Sequence, residues 1–131
     1  MTKDKRNQDL RERLLVFSVN IFNFLRTIPY RREYDVIRFQ LSKSATSVGA
    51  NYEESQNCSY KEFIQKVRIA LREANETLYW LNIINRLNIG DKDQCQKIIG
   101  EAREIALILG SIVVKSDIKL KTNRIKDHET K

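Results

Sequence analysis

Apolar residues recur along this chain at alternating spacings of three and four, a pattern typical of helices that each bury one face. The first such stretch runs from Asn7 to Ile28. Its apolar positions are Leu10, Leu14, Phe17, Ile21, Phe24 and Ile28. Pro29 cannot continue a helix, so the pattern predicts a first helix that ends in a short turn at residues 27–31.

A second helix is predicted from about Glu33 to Ser55, again with apolar residues on one face. Its C-terminal half is unusually rich in small residues: Ser44, Ala45, Ser47, Gly49 and Ala50. Gly inside a helix costs about 1 kcal/mol relative to Ala. We therefore expect a neighbouring helix to approach this half closely.

Two further helices follow, and both have recognisable start signals. Ser59 followed by Glu62 forms a capping-box pattern before the third apolar stretch. Residues 88–90, which end in Gly90, predict the end of that helix, and Asp91 supplies the N-cap of the fourth. The apolar periodicity of the fourth helix fades after about Lys119.

The sequence therefore predicts an all-α, antiparallel up-down-up-down four-helix bundle over residues 1–118, followed by a basic, disordered tail at residues 119–131. Three of the helices carry apolar residues outside their buried faces: Leu15, Val19, Phe22, Tyr79, Trp80, Ile83, Leu107, Ile108 and Val114. Because surplus apolar surface usually marks an interface, we expect a homo-oligomer.

Composition agrees with one soluble helical domain. The chain has 131 residues, 41% of them hydrophobic and 31% charged, with four Gly and one Pro. No run reaches the ~20 apolar residues of a membrane span, and the N-terminal stretch is too polar for a signal peptide. Cys58 and Cys95 are too isolated to form a disulfide framework. These features predict a cytoplasmic protein.

The net charge of +7 is concentrated at the two ends of the chain. Residues 1–32 contain eight Lys and Arg against three acidic residues, and residues 115–131 contain six against three. This distribution favours a polyanionic partner, although solvated terminal segments would explain it equally well. The candidate nucleic-acid-binding residues are Arg11, Arg13, Arg31, Arg32, Lys119, Lys121 and Arg124. Such residues would contact mainly phosphates, so binding would weaken as salt rises and would show little preference for sequence.

Aromatic residues next to basic ones are the other candidate nucleic-acid contacts. Tyr30 stands beside Arg31, and Tyr60 beside Lys61. Most Phe residues occupy core positions of the helical pattern, and no zinc-finger or Gly-rich phosphate-binding motif is present in the sequence. The sequence thus lacks a recognisable base-stacking platform.

Catalytic and metal-binding chemistry has little support in the sequence. The single histidine, His128, is near the end of the chain, whereas ferritin-like sites need Glu-x-x-His pairs within the bundle. We expect no catalytic residue, no metal and no cofactor. An enzyme using Glu54, Glu73 and Glu76 is a distant alternative. The structural interpretation of these carboxylates is local ion pairing, such as Lys66 with Glu73, and polar contacts that fix helix register.

The second and third helices carry a more specific pattern. It comprises residues 44–55, 63–66, 69–77 and 79–81, within a likeness that extends over about residues 8–118. This pattern resembles the small four-helix-bundle proteins encoded within intervening sequences of bacterial large-subunit ribosomal RNA genes. The positions that match the family motif are Ser47, Gly49, Asn51, Glu54, Lys66, Glu73, Glu76 and Trp80. We interpret them as packing and interface residues.

The resemblance implies a bundle that assembles as a ring-like homopentamer, with no known catalytic activity. A similar bundle occurs in the accessory protein of diversity-generating retroelements, which is basic and binds a reverse transcriptase and nucleic acid. The leading hypothesis is therefore a non-enzymatic oligomer that binds ribosomal or other structured RNA through basic surfaces. The alternative is a protein-interaction scaffold, for example an accessory subunit of a reverse transcriptase.

Overall fold

The computed structural model describes the backbone of residues 3–129 and the side chains of residues 9–129. This range forms four α-helices. They are α1 (Lys3–Leu25), α2 (Asp35–Ser55), α3 (Tyr60–Leu87) and α4 (Lys92–Glu129), with a short 3-10 helix (Arg32–Tyr34) before α2. The prediction of an all-α chain with four helices is confirmed for the described residues.

Helices that follow one another along the chain pack side by side and run in opposite directions. Arg11 pairs with Glu53 near the start of α1 and the end of α2, whereas Arg38 at the start of α2 reaches Ile28 after α1. The α2–α3 interface is the most extensive, followed by α3–α4, and α1 packs on both α2 and α4. The fully buried core includes Leu14, Ile21, Phe24, Leu41, Tyr52, Leu81, Ile84, Ile105 and Leu109.

Both predicted helix starts are confirmed by their cap contacts. The Ser59 hydroxyl accepts a hydrogen bond from the Glu62 amide at 3.3 Å, and the Asp91 carboxylate accepts one from the Gln94 amide at 3.0 Å. Each contact satisfies an amide that has no partner within its own helix. The caps therefore fix where α3 and α4 begin.

The end of α3 differs in detail from the prediction. Asn88, with φ of 54°, is the left-handed residue that terminates the helix, and Gly90 adopts φ of 75° two residues later. A Cβ atom at Gly90 would lie 2.9 Å from Thr27 Oγ1 and 3.0 Å from Ile28 Cγ1. Gly90 is thus required for close packing of the α3–α4 connection on the α1–α2 connection.

These two connections, residues 26–34 and 88–91, form what we call the closed end of the bundle. Thr27 Oγ1 accepts a hydrogen bond from the Asp91 amide at 2.9 Å. The Arg38 guanidinium donates to the carbonyls of Ile28 and Pro29 at 2.7 and 2.6 Å. Carbonyl groups beyond the end of α1 therefore receive partners from α2.

We call the opposite end of the bundle the open end. It contains the α2–α3 connection and the C-terminal part of α4. Here α4 continues to Glu129, so residues 119–129 are helical where the sequence analysis predicted a disordered tail. Hydrophobic periodicity faded because residues 121–129 are exposed and bury no face. Residues 111–129 contain no Gly or Pro and are rich in helix-forming Lys and Arg. Residues 130 and 131 lie outside the described range.

Candidate nucleic-acid interface

The first two predicted nucleic-acid-binding residues are held in ion pairs between helices. Arg11 Nε donates to Glu53 Oε2 at 2.7 Å, joining α1 to α2. Arg13 Nε donates to Glu101 Oε2 at 2.8 Å, and its Nη2 contacts Glu104 at 2.9 Å, joining α1 to α4. These contacts lower the pKa of Glu53 and of Glu101 below the ordinary value. Arg11 and Arg13 therefore have a structural role that the sequence did not reveal.

Arg31 and Arg32 lie at the closed end, in the connection between α1 and α2. Both residues are exposed. The other predicted cations lie near the end of α4, which contacts the start of α3 at the open end. The structure thus divides the predicted set between opposite ends of the bundle and does not form one continuous patch from it.

Lys121 and Arg124 line a groove between α3 and the last turns of α4. Two cations that the sequence analysis missed, Lys61 and Arg68, line its other wall. We call this site, defined by these four residues, the basic groove. Its remaining lining residues are Ile64, Gln65, Asp117 and Leu120. The sequence did contain a sign that Lys61 and Arg68 act together, because a spacing of seven residues places both on one face of α3.

Charge in the basic groove is only partly balanced. Arg68 forms an ion pair with Asp117 on α4. Within the described part of the chain, no acidic side chain pairs with Lys61, Lys121 or Arg124. The groove therefore presents three uncompensated positive charges to solvent.

Lys119 contacts an aromatic pair beside the groove. Its Nζ lies 4.9 Å from the centroid of the Tyr60 ring, and the Tyr60 and Phe63 rings stack at 5.9 Å. At the closed end, the Arg38 guanidinium lies 4.6 Å from the centroid of the Tyr30 ring. Both tyrosines proposed as nucleic-acid contacts therefore already have a cation over the ring.

The family-motif residues lie on α2 and α3, and those on α2 contact two different neighbouring helices. Gly49 faces α1, where a Cβ atom would lie 3.5 Å from Leu14 Cβ. That distance is an ordinary contact, so α1 does approach α2 here, while leaving room for a methyl group. Across the α2–α3 interface, Lys66 Nζ pairs with Glu54 at 2.8 Å, and not with Glu73 as the sequence suggested. The ion pair thus connects the two motif helices.

Other motif residues have local roles. The Asn51 side-chain amide donates to the Ser47 carbonyl at 2.8 Å, one turn back along α2. Burial and the neighbouring Glu76 carboxylate raise the pKa of Glu73. Trp80 is half-buried, and its indole Nε1 is buried without a hydrogen-bond partner in the described structure. Among the motif residues, Gly49 and the Glu54–Lys66 pair make contacts between helices.

Reactive side chains are few in the described structure. Cys95 is buried and its Sγ faces the Leu81 carbonyl at 3.8 Å, and burial raises the pKa of its thiol. Cys58, which lies at the open end, is half-buried. Among residues 9–129, no group of three or more His, Cys, Asp and Glu side chains is arranged to hold a metal ion. No helix in the described range is both long and apolar enough to cross a membrane.

Comparison with known proteins identifies the family. A model of the 23S rRNA-intervening sequence protein family matches residues 6–111. A crystal structure of a protein of unknown function from the S23 ribosomal protein family of Bacteroides thetaiotaomicron is similar, with 35% sequence identity and a TM-score of 0.73. The similarity covers 79% of this chain and 97% of that one. No curated protein matches the chain. This chain therefore belongs to the 23S rRNA-intervening sequence protein family.

Proposed function

We propose that this protein is a non-enzymatic, homo-oligomeric helical scaffold that binds nucleic acid through basic surfaces at the ends of the bundle. The observation that carries the proposal is the basic groove, where three cations have no acidic partner in the described structure. Unpaired Lys and Arg side chains attract phosphate, and their contacts require no particular base sequence. Structured RNA is the first substrate to test, given the family's association with 23S rRNA intervening sequences.

The structure changes which cations we expect to contact nucleic acid. Arg11 and Arg13 are removed from the set because carboxylates on neighbouring helices already bind them. Lys61 is added, whereas Arg68 lines the groove but is already paired with Asp117. Binding by the full set would be measured with ribosomal RNA and an unrelated RNA at several salt concentrations. We expect affinity to fall steeply as salt rises, and affinity independent of salt would contradict the proposal.

Self-association is the second element of the proposal, and we expect a pentamer. Exposed apolar side chains line the outer side of α1 and α2, where Leu15, Phe22 and Phe39 are 61%, 46% and 62% exposed. Burial of such side chains between copies would stabilise an oligomer. Mass measurement in solution tests this point, and a monomer at micromolar concentration would contradict it.

A protein-interaction scaffold is the alternative function, and a different surface favours it. Leu107, Val114 and Ile118 form an exposed apolar line along α4. A partner such as a polymerase or reverse transcriptase would cover that line, leaving the positive charge to maintain solubility. Co-purification before and after nuclease treatment separates the two functions, because only a protein contact survives loss of the nucleic acid.

A further inference from the structure

The basic groove has dimensions that suit a phosphate backbone. Lys61 and Arg68 are two helical turns apart, or about 10 Å along α3, and Lys121 and Arg124 are about 4–5 Å apart along α4. Packed helices lie 8–10 Å from axis to axis. The four cations therefore surround a strip of surface about 10 Å long, which is enough for a few consecutive phosphates of one strand.

Acidic side chains oppose little of this charge. Among the residues that the structure describes, Asp117 is the one acidic residue lining the groove, and it pairs with Arg68. Lys61 lies in the first turn of α3, where the helix dipole adds to the positive potential. An anion in the groove would therefore meet Lys61, Lys121 and Arg124 without displacing an existing ion pair.

Single-stranded nucleic acid is recognised in proteins mainly by stacking of its bases on exposed aromatic rings. The aromatic residue beside the groove does not offer a free ring. Tyr60 is stacked on Phe63 and carries the Lys119 ammonium group over its ring. The apolar lining residues of the groove, Ile64 and Leu120, are aliphatic. The groove thus has contacts for phosphates but, among the described residues, no free aromatic ring on which unstacked bases could stack.

The last turns of α4 make the groove accessible from outside the bundle. Residues 121–129 are all exposed, so one wall of the groove projects into solvent. This wall lies beyond the range matched by the family model, which ends at residue 111.

We infer that the basic groove binds the phosphate backbone of a nucleic-acid double helix in preference to a single strand. This inference rests on the proposed nucleic-acid-binding function and specifies its substrate class and site. A double helix keeps its bases stacked internally and presents its phosphates outward, which matches the chemistry of the groove. RNA and DNA duplexes share that backbone chemistry, and the experiment includes both.

The test compares the Lys121→Ala/Arg124→Ala variant with a charge-matched control, Lys97→Ala/Arg103→Ala, on the exposed side of α4 away from the groove. Both remove two exposed positive charges from the intact chain. Binding to a duplex RNA, a duplex DNA and the corresponding single strands would be measured by fluorescence anisotropy from about 50 to 200 mM salt. Circular dichroism would establish that both variants keep the helical content of the unmodified protein.

We expect the groove variant to bind duplex several-fold more weakly, with a log–log salt slope smaller in magnitude by about 2, because two phosphate contacts are lost. The control should bind as the unmodified protein does. Equal loss in both variants, or tighter binding of the single strands, would overturn the inference while leaving nucleic-acid binding intact. Absence of binding to all four probes at low salt would instead overturn the proposed function.

Discussion

The two ends of the bundle use arginine and lysine in opposite ways. At the closed end, Arg38 is mostly buried and donates to two backbone carbonyls, so its charge holds the α1–α2 connection in place. At the open end, Lys121 and Arg124 lie on projecting helix and bind nothing in the described structure. The comparison shows that the surroundings of a cation, and not its presence, decide between a structural and a binding role.

The largest expected effect is that of Gly90→Ala at the closed end. Ala at this position would have to adopt a left-handed backbone conformation, and its Cβ would lie within 3.0 Å of Thr27 and Ile28. We expect the free energy of unfolding to fall by about 2–3 kcal/mol, measured by urea denaturation. The control is Gly100→Ala, where the Cβ meets nothing within 4 Å and helix propensity favours Ala. Equal stability of the two variants would contradict tight packing at this end.

Arg38→Ala should destabilise the protein by about 2 kcal/mol, because two hydrogen bonds from a charged group to carbonyls are lost. Its counterpart at the open end is Arg68→Ala, which breaks an ion pair whose side chains are 51% and 39% exposed. We expect that change to cost about 0.5 kcal/mol or less. Urea denaturation of both variants under the same conditions tests this difference in stability. Similar losses in the free energy of unfolding would contradict the contrast between the two ends.

Glu101→Gln tests the contact between α1 and α4 through its dependence on pH. Hydrogen bonding to Arg13 lowers the pKa of Glu101 below its ordinary value of 4.5. A carboxylate of this kind stabilises the fold above the unfolded-state pKa and loses that contribution as pH falls through its folded-state pKa. At pH 7 the variant should be less stable by about 0.5–1 kcal/mol, and the difference should shrink at pH 3. A difference that stays constant with pH would argue against the ion pair.

The smallest expected effect is that of Lys121→Ala/Arg124→Ala on stability. These side chains lie on exposed helix and form no ion pair in the described structure, so the free energy of unfolding should change by less than about 0.5 kcal/mol. Thermal or urea unfolding checks this expectation. A large loss would mean that the open end contributes to folding as the closed end does.

Local sequence signals predicted the elements of the fold well. The caps at Ser59 and Asp91 depend on residues within one turn of each other, and both are confirmed. The length of α4 was not predictable from periodicity, because a helix that buries no face leaves no periodic trace. The exposed residues of α4 are helical because their intrinsic propensity favours a helix and because they continue a helix already formed in the packed part of α4.

The candidate site was less predictable because it depends on which helices become neighbours. Arg13 lies 88 residues from Glu101 in the sequence, so nothing near Arg13 signals its partner. Lys61 and Arg68 contribute to the groove only because the start of α3 packs against the end of α4. The excess charge is visible in the sequence, but tertiary packing divides it between ion pairs and open surface.

The two cysteines give the molecule a built-in site for chemical labelling. Cys95 is enclosed in the core and its thiol has a raised pKa, whereas Cys58 is half-buried between α2 and α3 at the open end. A maleimide reagent should therefore modify Cys58 selectively in the folded protein, since the thiolate is the reactive form and access is required. One fluorophore attached there would report directly on events at the open end, with no engineered residue.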